Sequence, residues 1–333
     1  ENAAINTPLT LPVASPHLWS PEDPYLYDLD ITLSLNGEQT DAVKSYCGMR
    51  KIEVKKVNDI PRIFLNGKQI FQMGPLDQGW WPDGLYTAPS DEALLFDVKE
   101  MKELGFNMIR KHIKVEPSRW YMHCDREGIL VWQDLPSPGL PAGHEAFARQ
   151  NFEEEAVRII DAFENHPSIV QWVVFNEGWG QFDTERMTQV VIDKVSPQSL
   201  VCCASGWNDA EIGDIKDSHS YPYPSCPIDQ KRACVNGEYG GITLKVPGHI
   251  WPGGDFGYTT VETPEDFTVM FNDLADKIKD HYYYGLNAAV YTQLSDVEIE
   301  KNGIYTYDRR ILKPYSPTGE LKDKILECIN MPQ

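Results

Sequence analysis

The chain of 333 residues has no Cys-x-x-Cys pair, no basic excess and no glycine-rich phosphate fingerprint. Each absence removes a class of function. The seven cysteines, Cys47, Cys124, Cys202, Cys203, Cys226, Cys234 and Cys328, are scattered and odd in number, which opposes a zinc site built from paired thiolates. Cys202, Cys203 and Cys234 fall in strand-like runs, where small buried thiols are expected. A net charge of −20 argues against nucleic acid, whose phosphates need a basic surface. It suits a protein that handles neutral substrates. No stretch reaches the roughly 18 apolar residues of a membrane span. The start, Glu1-Asn-Ala-Ala, lacks the basic and apolar regions of a signal peptide, as in a chain that begins partway along a longer protein. No GxGxxG or GxxxxGK[ST] follows a strand, which weakens the case for a doubly wound nucleotide-binding sheet. Repeats and low-complexity segments are absent too.

What is present supports a large core: 41% of residues are hydrophobic and 11% aromatic. Residues 1–56 read as short strands. Ile31-Thr-Leu-Ser-Leu35 alternates, Asn36-Gly37 is a hairpin turn, and Lys51-Ile-Glu-Val-Lys55 alternates again. Prolines crowd the first 24 positions and oppose helix. So short a stretch holds too few strands for a complete sandwich.

From residue 57 to 333 the pattern becomes strands alternating with helices. Arg62–Gln69 reads as a small hairpin and Ile70–Met73 as the first barrel strand. Ser90 is an N-cap for a helix with apolar positions Leu94, Leu95, Val98, Met101 and Leu104, stopped by Gly105. Strands follow at Phe106–Ile113, Ile129–Gln133, Ile169–Glu177, 200–204, Ser218–Tyr221, Ala233–Glu238 and Ala288–Gln293. Helices are expected at Pro117–Arg126, Glu145–Asn165, 183–195 and from Thr263 to Tyr283. Eight strands with helices mostly between them predict an α/β fold, a (β/α)8 TIM barrel.

Two glutamates stand out in that frame. Glu177 closes the run Ile169-Val-Gln-Trp-Val-Val-Phe-Asn-Glu177, and Glu238 closes Ala233-Cys-Val-Asn-Gly-Glu238. A lone carboxylate at a strand end usually faces water. Two of them on the rim of one barrel are the equipment for cleaving a glycosidic bond. A separation of roughly 5–5.5 Å gives retention through a covalent glycosyl-enzyme.

Several motifs in order resemble glycoside hydrolase family 2, which contains β-galactosidases, β-glucuronidases and β-mannosidases. They are Leu18-Trp-Ser-Pro-Glu-Asp-Pro-Tyr-Leu-Tyr27, Gly48-Met-Arg-Lys-Ile-Glu53, Phe64-Leu-Asn-Gly-Lys68, Asn165-His-Pro-Ser-Ile169, Asn176-Glu177 and Gly303-Ile-Tyr-Thr-Tyr-Asp-Arg309. The resemblance implies that residues 1–56 are the last part of an immunoglobulin-like sandwich and residues 57–333 the catalytic barrel. It also implies an amino-terminal jelly-roll domain, which this chain lacks. By motif, Glu177 corresponds to the acid/base and Glu238 to the nucleophile. Asn176 would bind the sugar 2-hydroxyl, Arg110 would keep the nucleophile ionised, and Tyr221 would hydrogen-bond it, with Tyr223 and His219 as near competitors for that place. Further substrate-binding candidates are His112, Asp77, Trp207 and Tyr291, the last standing where relatives often have tryptophan. Trp80, Trp81, Trp179 and Trp251 also fall in rim loops, and Asp134 ends a strand as Asp77 does.

The chain departs from relatives at Gly74–Trp81 and Lys111–Lys114, segments that shape sugar recognition. Glucuronidases carry an Asn-x-Lys motif where this chain has Glu300-Lys-Asn302, so glucuronides are disfavoured. Trp132-Gln-Asp134 resembles β-mannosidases. The expectation is a retaining exo-β-glycosidase of β-galactosidase type acting on an oligosaccharide or glycoconjugate. The alternatives are a β-mannosidase-like hydrolase and a non-catalytic carbohydrate-binding barrel. No cofactor is required. Some members bind magnesium or sodium near the acid/base, but no carboxylate cluster in the sequence calls for an ion. The resemblance also implies a homo-oligomer and a periplasmic or secreted setting rather than a cytoplasmic one.

Overall fold

In the computed structural model, which describes residues 3–137, 139 and 145–332, strands β1 (Tyr27–Leu35) and β2 (Glu38–Cys47) form an antiparallel hairpin. Its turn is the expected Asn36-Gly37, both residues with positive φ, the left-handed conformation such a turn requires. Next come β3 (Ile52–Val57), β4 (Ile60–Leu65) and β5 (Lys68–Gln69), an antiparallel three-stranded sheet in which Val57 pairs with Ile60. This sheet lies under the barrel. Arg62 donates to the carbonyl of Leu286 at 2.8 Å, and the Ile63 amide donates to Asn287 at 3.2 Å.

The barrel strands are β6 (Gln72–Asp77), β7 (Met108–Lys111), β8 (Leu130–Asp134), β9 (Ile169–Asn176), β10 (Leu200–Ser205), β11 (Ile215–His219), β12 (Ala233–Gly240) and β15 (Leu286–Thr292). All are parallel, in the order β10-β9-β8-β7-β6-β15-β12-β11. Backbone groups of Val201 and Asp214 close the ring between β10 and β11 at 2.8 Å. Two short strands, β13 (Ile242–Thr243) and β14 (Thr259–Thr260), pair above the rim. Six helices follow the strands: α1 (Asp91–Glu103), α2 (Ser118–Glu127), α3 (Glu145–Phe163), α4 (Thr184–Val195), α5 (Pro264–Tyr283) and α6 (Glu320–Ile329). Irregular chain, without a helix, links β10 to β11 and β11 to β12.

Local chemistry explains the elements. Ser90 caps α1 by accepting from the Ala93 amide at 3.2 Å, and Thr263 caps α5 by accepting from Asp266 at 3.1 Å. Strand alternation then sorts the core into two layers. Val131, Trp172, Val174, Ala289 and Tyr291 pack outward against the helices. Met108, Leu130, Trp132, Val170, Ile215, Val235 and Val290 fill the interior, with Trp19, Ile52, Ile63 and Leu65 of the preceding segments packed against them. A filled interior leaves only the carboxyl-terminal rim to hold a site.

Three boundaries differ from expectation. The first barrel strand starts later than Ile70 and runs through Gly74-Pro75 to Asp77. Gly74 permits this, since a β-carbon there would sit 1.7 Å from the Met108 carbonyl oxygen. The second is shorter than Phe106–Ile113, ended by the left-handed Ile113 (φ 47°). The sixth spans Ile215–His219, so Tyr221 lies just past the strand.

Candidate active site

Glu177 follows the last residue of β9 with φ 53°. This left-handed turn costs a bulky side chain on the order of 1 kcal/mol. It is held by the Glu177 amide, which donates to the Ser205 carbonyl at 2.9 Å. Glu238 lies within β12, beside His219 in the β11–β12 ladder. The two glutamates converge on that histidine. His219 Nδ1 is 2.7 Å from Glu177 Oε1 and 3.4 Å from Glu238 Oε2. One donor atom from each of the three residues lies within 4.8 Å of the others.

Arg110, fully buried at the tip of β7, organises the floor. Its guanidinium grips both oxygens of Asp134 at 3.1 and 2.9 Å. It also donates to Asn176 Oδ1 at 2.9 Å, to the Gly237 carbonyl at 3.0 Å and to Glu238 Oε1 at 3.3 Å. Tyr221 donates to Glu238 Oε2 at 2.6 Å. Burial alone would push the Glu238 carboxyl up, yet His219 and Arg110, with His112 and the Tyr221 hydroxyl, bring it below its ordinary value. Asp134 is lowered in the same way: Arg110 and His112 outweigh its burial. A lowered carboxyl suits a nucleophile, which must be ionised to attack.

The remaining candidates divide. His112 is half-buried in the cleft, its Nδ1 3.1 Å from Asp134. Trp207, 49% exposed, stands edge-on to His219 with ring centres 6.0 Å apart. Tyr223 is exposed and its hydroxyl makes no contact with Glu238 among the described residues, so Tyr221 takes the place the two shared. Trp81 is buried in the rim, whereas Trp179 is exposed beside Glu177.

Two expectations are corrected. Tyr291 is fully buried and packs against Tyr239 and Phe271 in the outer layer, facing the helices rather than a sugar. Strand period decides this: its neighbour Thr292 points inward and meets the Tyr221 hydroxyl at 2.8 Å. Asp77 is also buried. Its oxygens are taken by the Gly79 amide at 2.7 Å and by Lys111, a cation that also pairs with Glu116. It braces the rim rather than reading a hydroxyl. The same holds for Asp134, whose oxygens belong to Arg110 and His112.

Sequence reasoning passed over His219 as a site residue, along with Ser205, Asp217 and Thr292. One signal was available: His219 and Tyr221 are two apart at a strand end, so a shared face was readable. Ser205 and Asp217 carried none. The trio of Glu177, His219 and Glu238 is also a cluster the sequence did not reveal. Its spacing would accept a small cation, although the short contact from Nδ1 to Glu177 is one a proton already accounts for.

The family model described as glycosyl hydrolases family 2, TIM barrel domain, matches residues 56–325. The chain belongs to glycosyl hydrolase family 2. A second model of that family matches residues 1–50. A β-galactosidase of Lactococcus lactis is 32% identical over 176 residues, covering 50% of this chain and 17% of that protein. A β-glucuronidase of Bacteroides fragilis is 31% identical over 188 residues, covering 53% of this chain and 26% of its own length. This family 2 chain thus spans about a quarter or less of the curated relatives it matches. Among solved structures, a family 2 β-galacturonidase from Eisenbergiella tayi superposes with a TM-score of 0.75 at 20% identity, over 95% of this chain and 61% of that one. β-Glucuronidase 3 of Bacteroides uniformis gives 0.72 at 16% identity, over 96% and 44%. At such identities the likeness concerns the fold. No helix among the described residues is long and apolar enough to cross a membrane.

Proposed function

We propose that this family 2 chain is the catalytic part of a retaining exo-β-glycosidase. The observation that carries the reading is the convergence of Glu177 and Glu238 in one cleft, with donor atoms within 4.8 Å. Carboxyl groups that close leave no room for a water between them and the sugar, so direct attack is the available route. Glu238, anchored beside Arg110 and Tyr221, attacks the anomeric carbon. Glu177 protonates the leaving oxygen and then takes a proton from the water that releases the sugar. Asn176, fixed by Arg110, would meet the sugar 2-hydroxyl.

For the sugar we favour a neutral β-galactoside over a uronide. Glu300 is held by Gln293 at 2.7 Å and Gln78 at 3.2 Å, both through Oε2. Burial, and the Glu238 charge, raise its carboxyl above the ordinary value while His112 pulls the other way. An acidic group in electrical contact with Glu238 repels a second carboxylate on the sugar but accepts hydroxyl protons. Lys301, the nearest cation in sequence, is turned to Asp255 and the Gly254 carbonyl instead.

The test uses the full-length enzyme and a panel of aryl β-galactosides, β-mannosides and β-glucuronides. Glu238→Gln should lower kcat on the best substrate by about 10⁴-fold, which is roughly 5.4 kcal/mol of barrier. The first sugar released should be the β-anomer by NMR. Wild-type turnover by that variant, or an α-product, would overturn the reading. Binding without hydrolysis across the panel would point to a carbohydrate-binding barrel.

A further inference from the structure

We propose that His219 shares the acid/base proton with Glu177, held for that task by a buried chain through Ser205 and Asp217. It rests on the reading of Glu177 as acid/base and acts through it, as a positioning residue.

Proton accounting along the chain fixes the tautomer. The Ser205 hydroxyl donates to Asp217 Oδ2 at 2.6 Å, and Asp217 Oδ1 accepts from the Gly237 amide at 2.6 Å. Ser205 has one proton, so its oxygen accepts from His219 Nε2–H, 2.7 Å away. Nε2 is thereby kept protonated and Nδ1 becomes the position that gains and loses a proton. Nδ1 is the atom 2.7 Å from Glu177 and 3.4 Å from Glu238. Gly237 is part of the device: a β-carbon there would sit 2.3 Å from Asp217 Oδ2.

The charges around the ring favour a proton on it. Glu177 approaches from the end of β9, Glu238 from β12 and Asp217 from β11 itself, while Arg110 of β7 has its Nη1 3.5 Å from Nε2. Burial disfavours the imidazolium, but the three carboxylates outweigh it together with Arg110 and move the ring above its ordinary value. Arg110 is itself neutralised by Asp134. Two carboxylates this close do not both ionise without a cation between them, and His219 is that cation.

The step balances. In the resting enzyme the Glu177–His219 pair holds one titrating proton. As Glu238 bonds to the anomeric carbon and the glycosidic C–O bond breaks, the pair gives that proton to the leaving oxygen through Glu177. It is left as a carboxylate beside a neutral imidazole. Water then attacks the glycosyl-enzyme, the pair regains a proton from it, and Glu238 departs as a carboxylate.

The test compares wild type with His219→Asn in the full-length enzyme. It uses one aryl glycoside with a basic leaving group, such as methylphenol, and one with dinitrophenol, which needs no protonation. We expect about a hundredfold loss on the methylphenyl substrate and less than about tenfold on the dinitrophenyl one. The basic limb of kcat/KM should move to lower pH, because Glu177 alone holds a proton less tightly than the pair. Equal losses on both substrates with an unmoved limb would mean a purely structural role and overturn the proposal. A second measurement does not depend on that variant folding: NMR titration of His219 in wild type and in Glu177→Gln. The midpoint should fall when the Glu177 charge is removed, and an unchanged midpoint would also overturn it. A wild-type enzyme inert on every glycoside would instead defeat the functional reading, while the titration would still decide the shared proton.

Discussion

Glu238 accepts the Tyr221 hydroxyl proton at 2.6 Å and lies 3.3 Å from Arg110. These donors act against its burial and hold the carboxyl below the usual range. The anion therefore persists at pH values where an unassisted buried carboxyl would be neutral. Activity that needs this anion is present above the lowered value and is lost as the pH falls through it. Tyr221→Phe removes one donor to a charged group, worth about 1.5–3 kcal/mol. The acid limb of kcat/KM should then rise by about 1–2 pH units. A pH profile of the variant checks this, and an unmoved limb would mean that Arg110 and His219 suffice. At this scale the motif residues were readable from sequence as candidates, whereas their electrostatics were not. The pKa directions come from groups on β7 and β11, far from Glu238 in the chain.

Strand β6 shows how one element constrains the site. Gly74 lies flat against the Met108 carbonyl, leaving 1.7 Å for a β-carbon, so β6 and β7 pack backbone to backbone. The close approach lets Asp77 and Lys111, paired across the ladder, meet at the rim. Gly74→Ala must push the strands apart. We expect a loss of at least about 1–3 kcal/mol, seen as a lower denaturant midpoint, together with a weaker acid limb as Arg110 shifts with β7. Strand β15 teaches the complementary lesson. Its alternation sends Val290 inward, Tyr291 outward and Thr292 inward. A comparison of sequence position with relatives pointed to Tyr291, but the pleat, which reverses at every residue, gave the cleft to Thr292.

Across the whole molecule, the amino-terminal segment and the barrel are tied at the base. Trp19 is fully buried and donates to the Asp125 carbonyl at 2.7 Å, Arg50 donates to the Pro167 carbonyl at 2.9 Å, and Tyr46 donates to Asp125 at 2.7 Å. Trp19, with Ile52, belongs to the cluster that fills the barrel interior. Trp19→Ala should therefore cost about 3–5 kcal/mol although it lies at the end of the barrel away from Glu177. Unfolding curves should show the loss, and KM measured well below the melting temperature should stay near wild type. By contrast, Ile31, Leu33 and Val43 of the β1–β2 hairpin are exposed, and substitutions there should leave the barrel's stability almost untouched.

Local pattern alone determined the strand-and-helix order, the hairpin at Asn36-Gly37 and the placement of Glu177 and Glu238 at strand ends, because period and capping are short-range properties. The motifs at Asn176, Arg110 and Tyr221 were legible for the same reason. Only the tertiary structure decided which of these side chains meet. Closing eight strands into a ring brings β7, β9, β10, β11, β12 and β15 to one rim, and spacing along the chain says nothing about position around that ring. His219 between two carboxylates, Ser205 behind it and Arg110 gripping Asp134 therefore became visible only when the strands were assembled.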